Sequence, residues 1–175
     1  MKQLILGGAR SGKSALAERL ATGMTGDVRY IATAMHQADD TEMVERIRQH
    51  RERRPRHWTL IEEPIKLADV IQDNQGEGRC LIVDCLTLWL SNLLLLEDDK
   101  QFQLQTETLF SVLSGYRGDL IFVGNEVGMG IVPLGELSRK FQDESGRLHQ
   151  QLAALCDRVI FTVAGLPLVM KGEAF

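Results

Sequence analysis

A glycine-rich segment near the N-terminus restricts the possible folds of this chain more than any other feature. Residues 7–14 read Gly-Gly-Ala-Arg-Ser-Gly-Lys-Ser, between an apolar run at 3–6 and an amphipathic run at 13–22. This is the pattern G-x-x-x-x-G-K-[ST], in the order strand, loop, helix. Glycines let backbone N–H groups point inward around phosphate oxygens, next to the positive end of the helix dipole. We therefore predict a phosphate-binding loop formed by Gly7, Gly8, Ala9, Arg10, Ser11, Gly12, Lys13 and Ser14.

Three side chains are candidates for contact with a triphosphate and its metal ion. In a loop of this kind Lys13 reaches the β- and γ-phosphates, and the Ser14 hydroxyl is a ligand of Mg²⁺. A carboxylate is expected at the end of a neighbouring apolar strand, and Asp84 follows the run at 81–83. Asp84 has a second interpretation, as the N-cap of a helix that begins near Leu86.

Short apolar runs alternate with longer amphipathic runs along the chain. Strands are predicted at Gln3–Leu6, Val28–Ala32, Thr59–Ile61, Cys80–Asp84, Leu120–Gly124 and Val159–Val163. Helices are predicted at Lys13–Thr22, Thr41–Arg53, Ile65–Gln72, Leu86–Leu96, Phe102–Ser114 and Gly135–Cys156. Gly146 is a possible point of interruption in the last helix. The residues after Val163 predict an antiparallel hairpin. The fold class is thus α/β: a P-loop NTPase fold of the RecA-like type, whose mostly parallel central sheet is flanked by helices, in one domain of residues 1–175.

Composition and charge exclude several other classes of protein. Of the 175 residues, 44% are hydrophobic and 25% charged, as in globular domains, and the net charge of −4 argues against a general nucleic-acid binder. The longest apolar segment, Leu86–Leu96, is too short for a membrane span, and the N-terminus lacks a signal-peptide pattern, so we expect a cytoplasmic protein. The three cysteines lack metal-type spacing, which favours simple packing for Cys80, Cys85 and Cys156.

An arginine-rich segment follows the predicted second strand. Six arginines fall between residues 46 and 56, and guanidinium groups match phosphate oxygens, so the segment is a candidate polyphosphate site. The alternative is a solvated helix face with ordinary ion pairs. His50 continues the apolar stripe of Met43 and Ile47, which is typical of a packed residue. Spacing alone does not choose a nucleophile among His36, His50, His57 and His149.

The sequence as a whole resembles the bifunctional adenosylcobinamide kinase/adenosylcobinamide-phosphate guanylyltransferases of cobalamin biosynthesis. The resemblance covers nearly the entire chain. Its most specific parts are the segment that holds Arg46, Ile47 and His50, and the block Asn125–Pro133. The other matching residues are 7–14, 30–34, Arg54, Pro55, Trp58, Phe141, Asp143, Gly146, Arg147 and Gln150.

The resemblance implies two reactions on one scaffold. A kinase step phosphorylates the aminopropanol hydroxyl of adenosylcobinamide with ATP or GTP, and Mg²⁺ accompanies the nucleotide. A transferase step then moves GMP from GTP to that phosphate through a guanylylated histidine, which corresponds to His50. The family also implies a homotrimer. Two alternatives remain: another P-loop kinase that forms no covalent nucleotide, and a non-enzymatic nucleotide-gated module.

The resemblance places the guanine nucleotide as well. It implies His50 as a catalytic residue in addition to Lys13 of the phosphate loop, while Ser14 and Asp84 remain the metal ligands that the loop pattern predicts. The nucleotide-binding residues outside the loop are Ala32, Thr33, Ala34, Arg51, Glu52, Arg53, Arg54, Glu62 and Asp84. Relatives often carry Asn where this chain has His149.

The block after the predicted fifth strand has two interpretations. Gly128 and Gly130 make the segment conformationally permissive, and Glu126 stands at the carboxyl end of a strand. Such a loop can close over a large corrinoid with Glu126 near the reacting hydroxyl. The alternative is a structural turn without a ligand role.

Overall fold

Twelve elements account for the described part of this computed structural model, which covers residues 1–24, 26–35, 45, 48 and 54–174. Seven are strands: β1 Lys2–Gly7, β2 Asp27–Ala32, β3 Thr59–Glu62, β4 Arg79–Asp84, β5 Asp119–Asn125, β6 Arg158–Val163 and β7 Leu166–Lys171. Five are helices: α1 Lys13–Thr22, α2 Leu67–Asn74, α3 Leu86–Leu95, α4 Asp99–Gly115 and α5 Glu136–Leu155. The predicted helix at 41–53 lies outside the described residues, apart from Glu45 and Arg48.

The strands form one sheet in the order β3-β2-β4-β5-β1-β6-β7. Neighbours pair in parallel except β6 and β7, which are antiparallel. All six predicted strands and the predicted edge hairpin are therefore confirmed. The parallel strands end at one edge of the sheet, which carries the residues that follow Gly7, Ala32, Asp84 and Asn125.

Each face of the sheet is covered by a different set of helices. Leu16 and Ala17 of α1 pack against Ile5, Ile82 and Ile121 on one face. The opposite face is covered by α2, α3, α4 and α5. Its core side chains from the sheet are Leu4, Leu6, Ile31, Leu81, Val83, Leu120 and Phe122. Because the central strands are buried on both faces, their sequences are continuous apolar runs.

Local capping explains where the helix boundaries differ from the predicted ones. The helix predicted from Ile65 begins at Leu67, because the Glu63 carboxylate accepts hydrogen bonds from the Ile65 and Lys66 N–H groups and holds them in a turn. The helix predicted from Phe102 begins at Asp99, where the Asp98 side chain is the N-cap. The open question at Gly146 is also answered, since α5 is continuous through it. None of the helices in the described ranges combines the length and apolarity needed to cross a membrane.

Candidate active site

The predicted phosphate loop has a backbone that only glycine fits at two positions. Gly7 has φ 154°, and a Cβ there would lie 2.4 Å from the Thr162 carbonyl oxygen. Gly12 has φ 97°, and a Cβ there would lie 3.2 Å from the Gly165 Cα. Both glycines are therefore required by positive φ and by a close backbone neighbour. Gly8 has no atom within 4 Å of a built Cβ, so its role is not one of close packing.

The β6–β7 hairpin supports the phosphate loop from the side. The Gly165 N–H donates to the Ser11 carbonyl at 3.0 Å, and the Thr162 hydroxyl donates to the Leu6 carbonyl at 2.8 Å. Ala164 and Gly165 in the turn have φ of 52° and 79°. The hairpin was predicted, but its contact with the loop was not, because nothing local in residues 162–165 indicates contact with residue 11.

Lys13 is buried within the loop. Its Nζ donates to the Gly8 carbonyl at 2.5 Å and lies 3.5 Å from the Ser11 hydroxyl. Burial lowers the pKa of Lys13, and the negative charge of Asp84 partly opposes that shift. A desolvated ammonium next to loop carbonyls interacts strongly with any phosphate oxygen that enters the loop.

Asp84 ends β4 as predicted, and it is held by a residue that the sequence analysis missed. The Tyr30 hydroxyl donates to Asp84 Oδ2 at 2.6 Å. Burial, followed by the charge of Asp84, raises the pKa of Tyr30 well above its ordinary value, so the phenol stays a donor. The N-cap interpretation of Asp84 is wrong, because the N-cap of α3 is Cys85.

The residues expected around the guanine nucleotide are brought together in part. Ala32 pairs with Asp84 and Glu62 across neighbouring strands. The Thr33 side chain is fully buried, and its hydroxyl both donates to the Cys85 carbonyl and accepts from the Cys85 N–H. Thr33 therefore joins the ends of β2 and β4 through its side chain, and its backbone N–H donates to the Asp84 carbonyl at 3.4 Å.

Arg54 is the described end of the arginine-rich segment. Its guanidinium lies 4.3 Å from the centroid of the Tyr30 ring, a cation–π contact. The segment therefore returns to the sheet beside the side chain that holds Asp84. His36, His50, Arg51, Glu52 and Arg53 lie outside the described residues. His57 is exposed.

The end of β5 lies next to the first residue of the loop. The Glu126 N–H donates to the Gly7 carbonyl at 3.0 Å, and the Asn125 N–H donates to the Thr87 hydroxyl at 2.8 Å. The Glu126 Oε2 lies 3.7 Å from Nδ1 of the buried His149. Position 126 was a candidate from the sequence, whereas the approach of His149 to it was not foreseen.

The cysteines behave as packing residues, as predicted. Cys80 and Cys156 are buried and Cys85 is partly buried, and all three are free thiols. Burial raises the pKa of Cys80 and Cys156 to about 12 and that of Cys85 to about 11. Thiols with such pKa values stay protonated and are poor nucleophiles at neutral pH.

Comparison with known proteins identifies the family of this chain. The model of the family described as cobinamide kinase / cobinamide phosphate guanyltransferase matches residues 3–170. The chain belongs to that family. It is 57% identical to the bifunctional adenosylcobalamin biosynthesis protein CobP of Pseudomonas aeruginosa over 99% of both chains. It is 36% identical to CobU of Escherichia coli, over 98% of this chain and all of that protein.

Solved structures of low sequence identity share the fold. A prototypical ATPase from the type III secretion system of pathogenic bacteria superposes with a TM-score of 0.55 at 11% identity. The match covers 96% of this chain and 56% of the ATPase chain. The assembled ATPase EscN of enteropathogenic E. coli gives a TM-score of 0.56 at 12% identity, over 93% of this chain and 43% of that chain. The predicted P-loop NTPase fold is confirmed, and family membership makes the chain an enzyme of cobinamide phosphorylation and guanylyl transfer.

Proposed function

We propose that this chain phosphorylates the aminopropanol hydroxyl of adenosylcobinamide and then places GMP from GTP on that phosphate through a guanylylated His50. The proposal rests on the match of the family model over residues 3–170. It is supported by the phosphate loop, in which the charge of Asp84 acts on the pKa of the buried Lys13. The donor in the first step is ATP or GTP.

The donor set of the crevice fits Mg²⁺. The Ser14 hydroxyl and the Asp84 carboxylate are hard oxygen ligands of the kind that Mg²⁺ prefers. Within the described residues, no three His, Cys, Asp or Glu side chains cluster as a metal site. A magnesium ion would therefore share its coordination between these two residues and the phosphates. When bound, it supplies positive charge to the oxygens that gain negative charge during transfer.

The kinase step needs three things from the chain: a grip on the triphosphate, positive charge at the transferred group, and a bound acceptor. The loop amides and Lys13 supply the first two, because N–H groups and an ammonium fixed in advance need no reorganisation as charge develops. The acceptor oxygen forms a bond to the γ-phosphorus, and the bond from that phosphorus to the bridging oxygen breaks, so that a nucleoside diphosphate leaves.

The transferase step needs an imidazole beside the α-phosphorus. A neutral ring nitrogen of His50 attacks that phosphorus, pyrophosphate leaves, and the N–P bond keeps GMP reactive for transfer to the cobinamide phosphate. The contact of Arg54 with the Tyr30 ring supports this assignment, because it brings the residue four positions after His50 next to the side chain that holds Asp84. A chain extends at most about 3.6 Å per residue, so the Cα atoms of His50 and Arg54 are no more than about 14 Å apart.

The test of the covalent step uses α-labelled GTP with Mg²⁺. Wild-type protein should retain label in a bond that is labile to acid and stable to alkali, and intact-mass measurement should show one GMP per chain. His50→Asn should lose the label, whereas His57→Asn, which changes an exposed histidine of the same region, should keep it. Wild-type protein without label would favour a P-loop kinase that forms no covalent nucleotide.

A second measurement separates the enzyme from a nucleotide-gated binding module. Steady consumption of triphosphate that depends on added adenosylcobinamide is expected of the enzyme. Nucleotide binding without turnover in the presence of adenosylcobinamide would favour the module.

We include in the proposal the homotrimer that the family resemblance implies and the cytoplasmic location expected from the sequence. A trimer would let a neighbouring subunit complete the corrinoid cleft. Light scattering of the full chain should give the mass of three copies of 19.6 kDa. A monomer at working concentration would contradict that part of the proposal and leave the two reactions untouched.

A further inference from the structure

The two faces of the sheet contribute different groups to the crevice. Asp84 follows Ile82 at the two-residue spacing that keeps side chains on one face, and Ile82 packs with α1. Gly124 lies two residues after Phe122, which belongs to the opposite core. A Cβ at Gly124 would meet Nε2 of His149 on α5 at 3.0 Å. Lys13 and Asp84 thus stand on the α1 side, and the end of β5 carries a separate group on the α5 side.

That group is the carboxylate of Glu126, a residue that hydrogen bonds hold at its backbone and at its side chain. Its backbone N–H is bonded to Gly7, the first residue of the phosphate loop, at 3.0 Å. Its Oε1 accepts a hydrogen bond from the Gly128 N–H at 2.6 Å, and its Oε2 faces Nδ1 of His149 at 3.7 Å. A carboxylate fixed beside the loop that grips the triphosphate is preorganised for work on the transferred group.

His149 does not place a positive charge next to that carboxylate at neutral pH. The imidazole is 7% exposed, and burial lowers the pKa of His149 despite the opposing charge of Glu126. The ring is therefore neutral at neutral pH, and no imidazolium neutralises Glu126. A base needs this arrangement, because a neighbouring positive charge would weaken its hold on a proton.

An acceptor that reacts beside Glu126 would need space on the α5 side of the sheet. A groove of about 230 Å³ lies between the end of α3 and the first turns of α5, lined by Ser91, Leu94, Leu95, Leu137, Ser138 and Phe141. Asn92 of α3 donates to the carbonyls of Thr33 and Pro64, so this part of α3 borders the residues that follow β2 and β3. Transfer of a phosphoryl group in line requires the acceptor to approach from the side opposite the leaving group.

We propose that Glu126 is the general base of the kinase step and that His149 is its positioning residue, an inference that rests on the proposed function. The Glu126 carboxylate takes the proton of the acceptor hydroxyl as the oxygen bonds to the γ-phosphorus and the nucleoside diphosphate leaves. The proton passes to solvent after the product departs. Guanylyl transfer needs no such base, because its acceptors are a neutral imidazole and then an ionised phosphate.

The experiment compares the two half-reactions in full-length Glu126→Gln. The amide oxygen can still accept from Gly128, so the loop is preserved while the base is removed. We expect kcat for adenosylcobinamide phosphorylation to fall about 10²-fold to 10⁴-fold, the range for loss of a general base. KM for the nucleotide, labelling by α-labelled GTP and GMP transfer to supplied adenosylcobinamide phosphate should stay within about twofold. Glu107→Gln on the exposed face of α4 is the control and should match wild type in all four.

The possible outcomes separate this inference from the proposed function. Kinase activity of Glu126→Gln close to that of wild type would overturn the inference alone. Equal losses in kinase and labelling would also overturn it, since they would assign Glu126 to the folding of the loop. Wild-type protein without kinase activity would instead contradict the proposed function.

His149 is tested with a conservative and a disruptive variant. Gln keeps an N–H donor that can reach Glu126, and Leu keeps the volume without a donor. We expect His149→Gln to retain kinase kcat within about threefold and His149→Leu to lose about tenfold, both with normal labelling by α-labelled GTP. Equal kinase rates for the two variants would show that His149 does not position Glu126. Loss of both labelling and kinase activity in both variants would show that His149 acts only in packing.

Discussion

At the scale of single residues, Lys13 connects burial with chemistry. Its ammonium is desolvated inside the loop, where it donates to the Gly8 carbonyl and the charge of Asp84 partly opposes the fall of its pKa. Burial of a charge costs free energy unless a counter-charge compensates, so triphosphate oxygens are the natural compensation. Function and stability are therefore in opposition at this side chain, as is common at active sites.

Replacement of Lys13 with Ala should impair both half-reactions. If one phosphate site serves both steps, adenosylcobinamide phosphorylation and labelling by α-labelled GTP should each fall by about 10²-fold or more, the usual effect of losing one charge-stabilising donor. The rise in Tm on addition of GTP and Mg²⁺ should also disappear, because that rise reports binding to the folded state. Arg19→Ala, an exposed cation on the same helix, is the control. Kinase activity that survives the Lys13 change would refute a shared site.

His149 should make the protein less stable in mild acid. Above about pH 6.5 the imidazole is neutral in the folded and the unfolded chain, so it adds no pH dependence there. Burial holds the folded pKa of His149 below that value. As the pH falls through 6.5, the unfolded chain binds a proton that the folded chain binds only at lower pH, and the free energy of unfolding decreases.

Urea unfolding between pH 7 and pH 5 checks this sign. His149→Gln should lose less stability over that range than wild type, and His57→Gln, at an exposed position, should follow wild type. A steeper loss in His149→Gln would mean that the folded pKa is raised, as expected if the charge of Glu126 outweighed burial.

At the scale of elements, the phosphate loop depends on β6 and β7 as well as on its own glycines. Gly7 lies against Thr162, and Gly12 lies against Gly165. The Gly165 N–H also bonds to Ser11. The loop conformation is thus imposed from both sides, by β1 before it and by the hairpin beside it.

Gly7→Ala and Gly8→Ala form a matched pair. At position 7 the new Cβ meets the Thr162 carbonyl at 2.4 Å and a φ of 154°, so we expect a loss of about 2 kcal/mol or more in the free energy of unfolding. At position 8 the Cβ has open space, and the free energy of unfolding should change by less than about 0.5 kcal/mol. Thermal unfolding of the nucleotide-free protein measures both. Similar losses for the two variants would contradict the close-contact argument.

At the scale of the whole molecule, the end of the sheet at β7 is unusually apolar for a free edge. Leu166, Leu168 and Met170 alternate along β7 with their side chains more than half exposed, and β6 is its only partner among the described strands. Pro167 within β7 limits pairing with a further strand, but the exposed apolar side chains still form a face of the kind that packs against other chains. In the proposed homotrimer, a second copy of this chain would cover this face.

Leu168→Lys tests whether the β7 face lies in the trimer. Burial of one leucine contributes about 2 kcal/mol per copy, so the charge should shift the mass measured by light scattering from three copies toward one at micromolar concentration. Leu104→Lys, also an exposed leucine but on α4, should leave the mass unchanged. A trimer that persists in Leu168→Lys would place the subunit contact elsewhere.

The sequence by itself determined the elements and the family. The phosphate loop at 7–14, the six strands and the edge hairpin were predicted from local sequence. Strands buried on both faces are continuous apolar runs, and the loop needs glycines at fixed positions, so both signals lie in consecutive residues. The Asn125–Pro133 block and the His50 segment carried the resemblance that the comparisons confirm.

Only the tertiary structure decided which of these residues meet. Tyr30 holds Asp84 across 54 positions, Thr162 bonds to Leu6 across 156, and His149 comes to Glu126 from a helix on the far side of β5. The period of the hydrophobic residues indicates that a side chain is buried but not which residues it packs against, so these pairs could not be predicted from the sequence. Strand order sets the partners, and strand order follows from how helices cover the two faces of the sheet, which is a property of the whole chain.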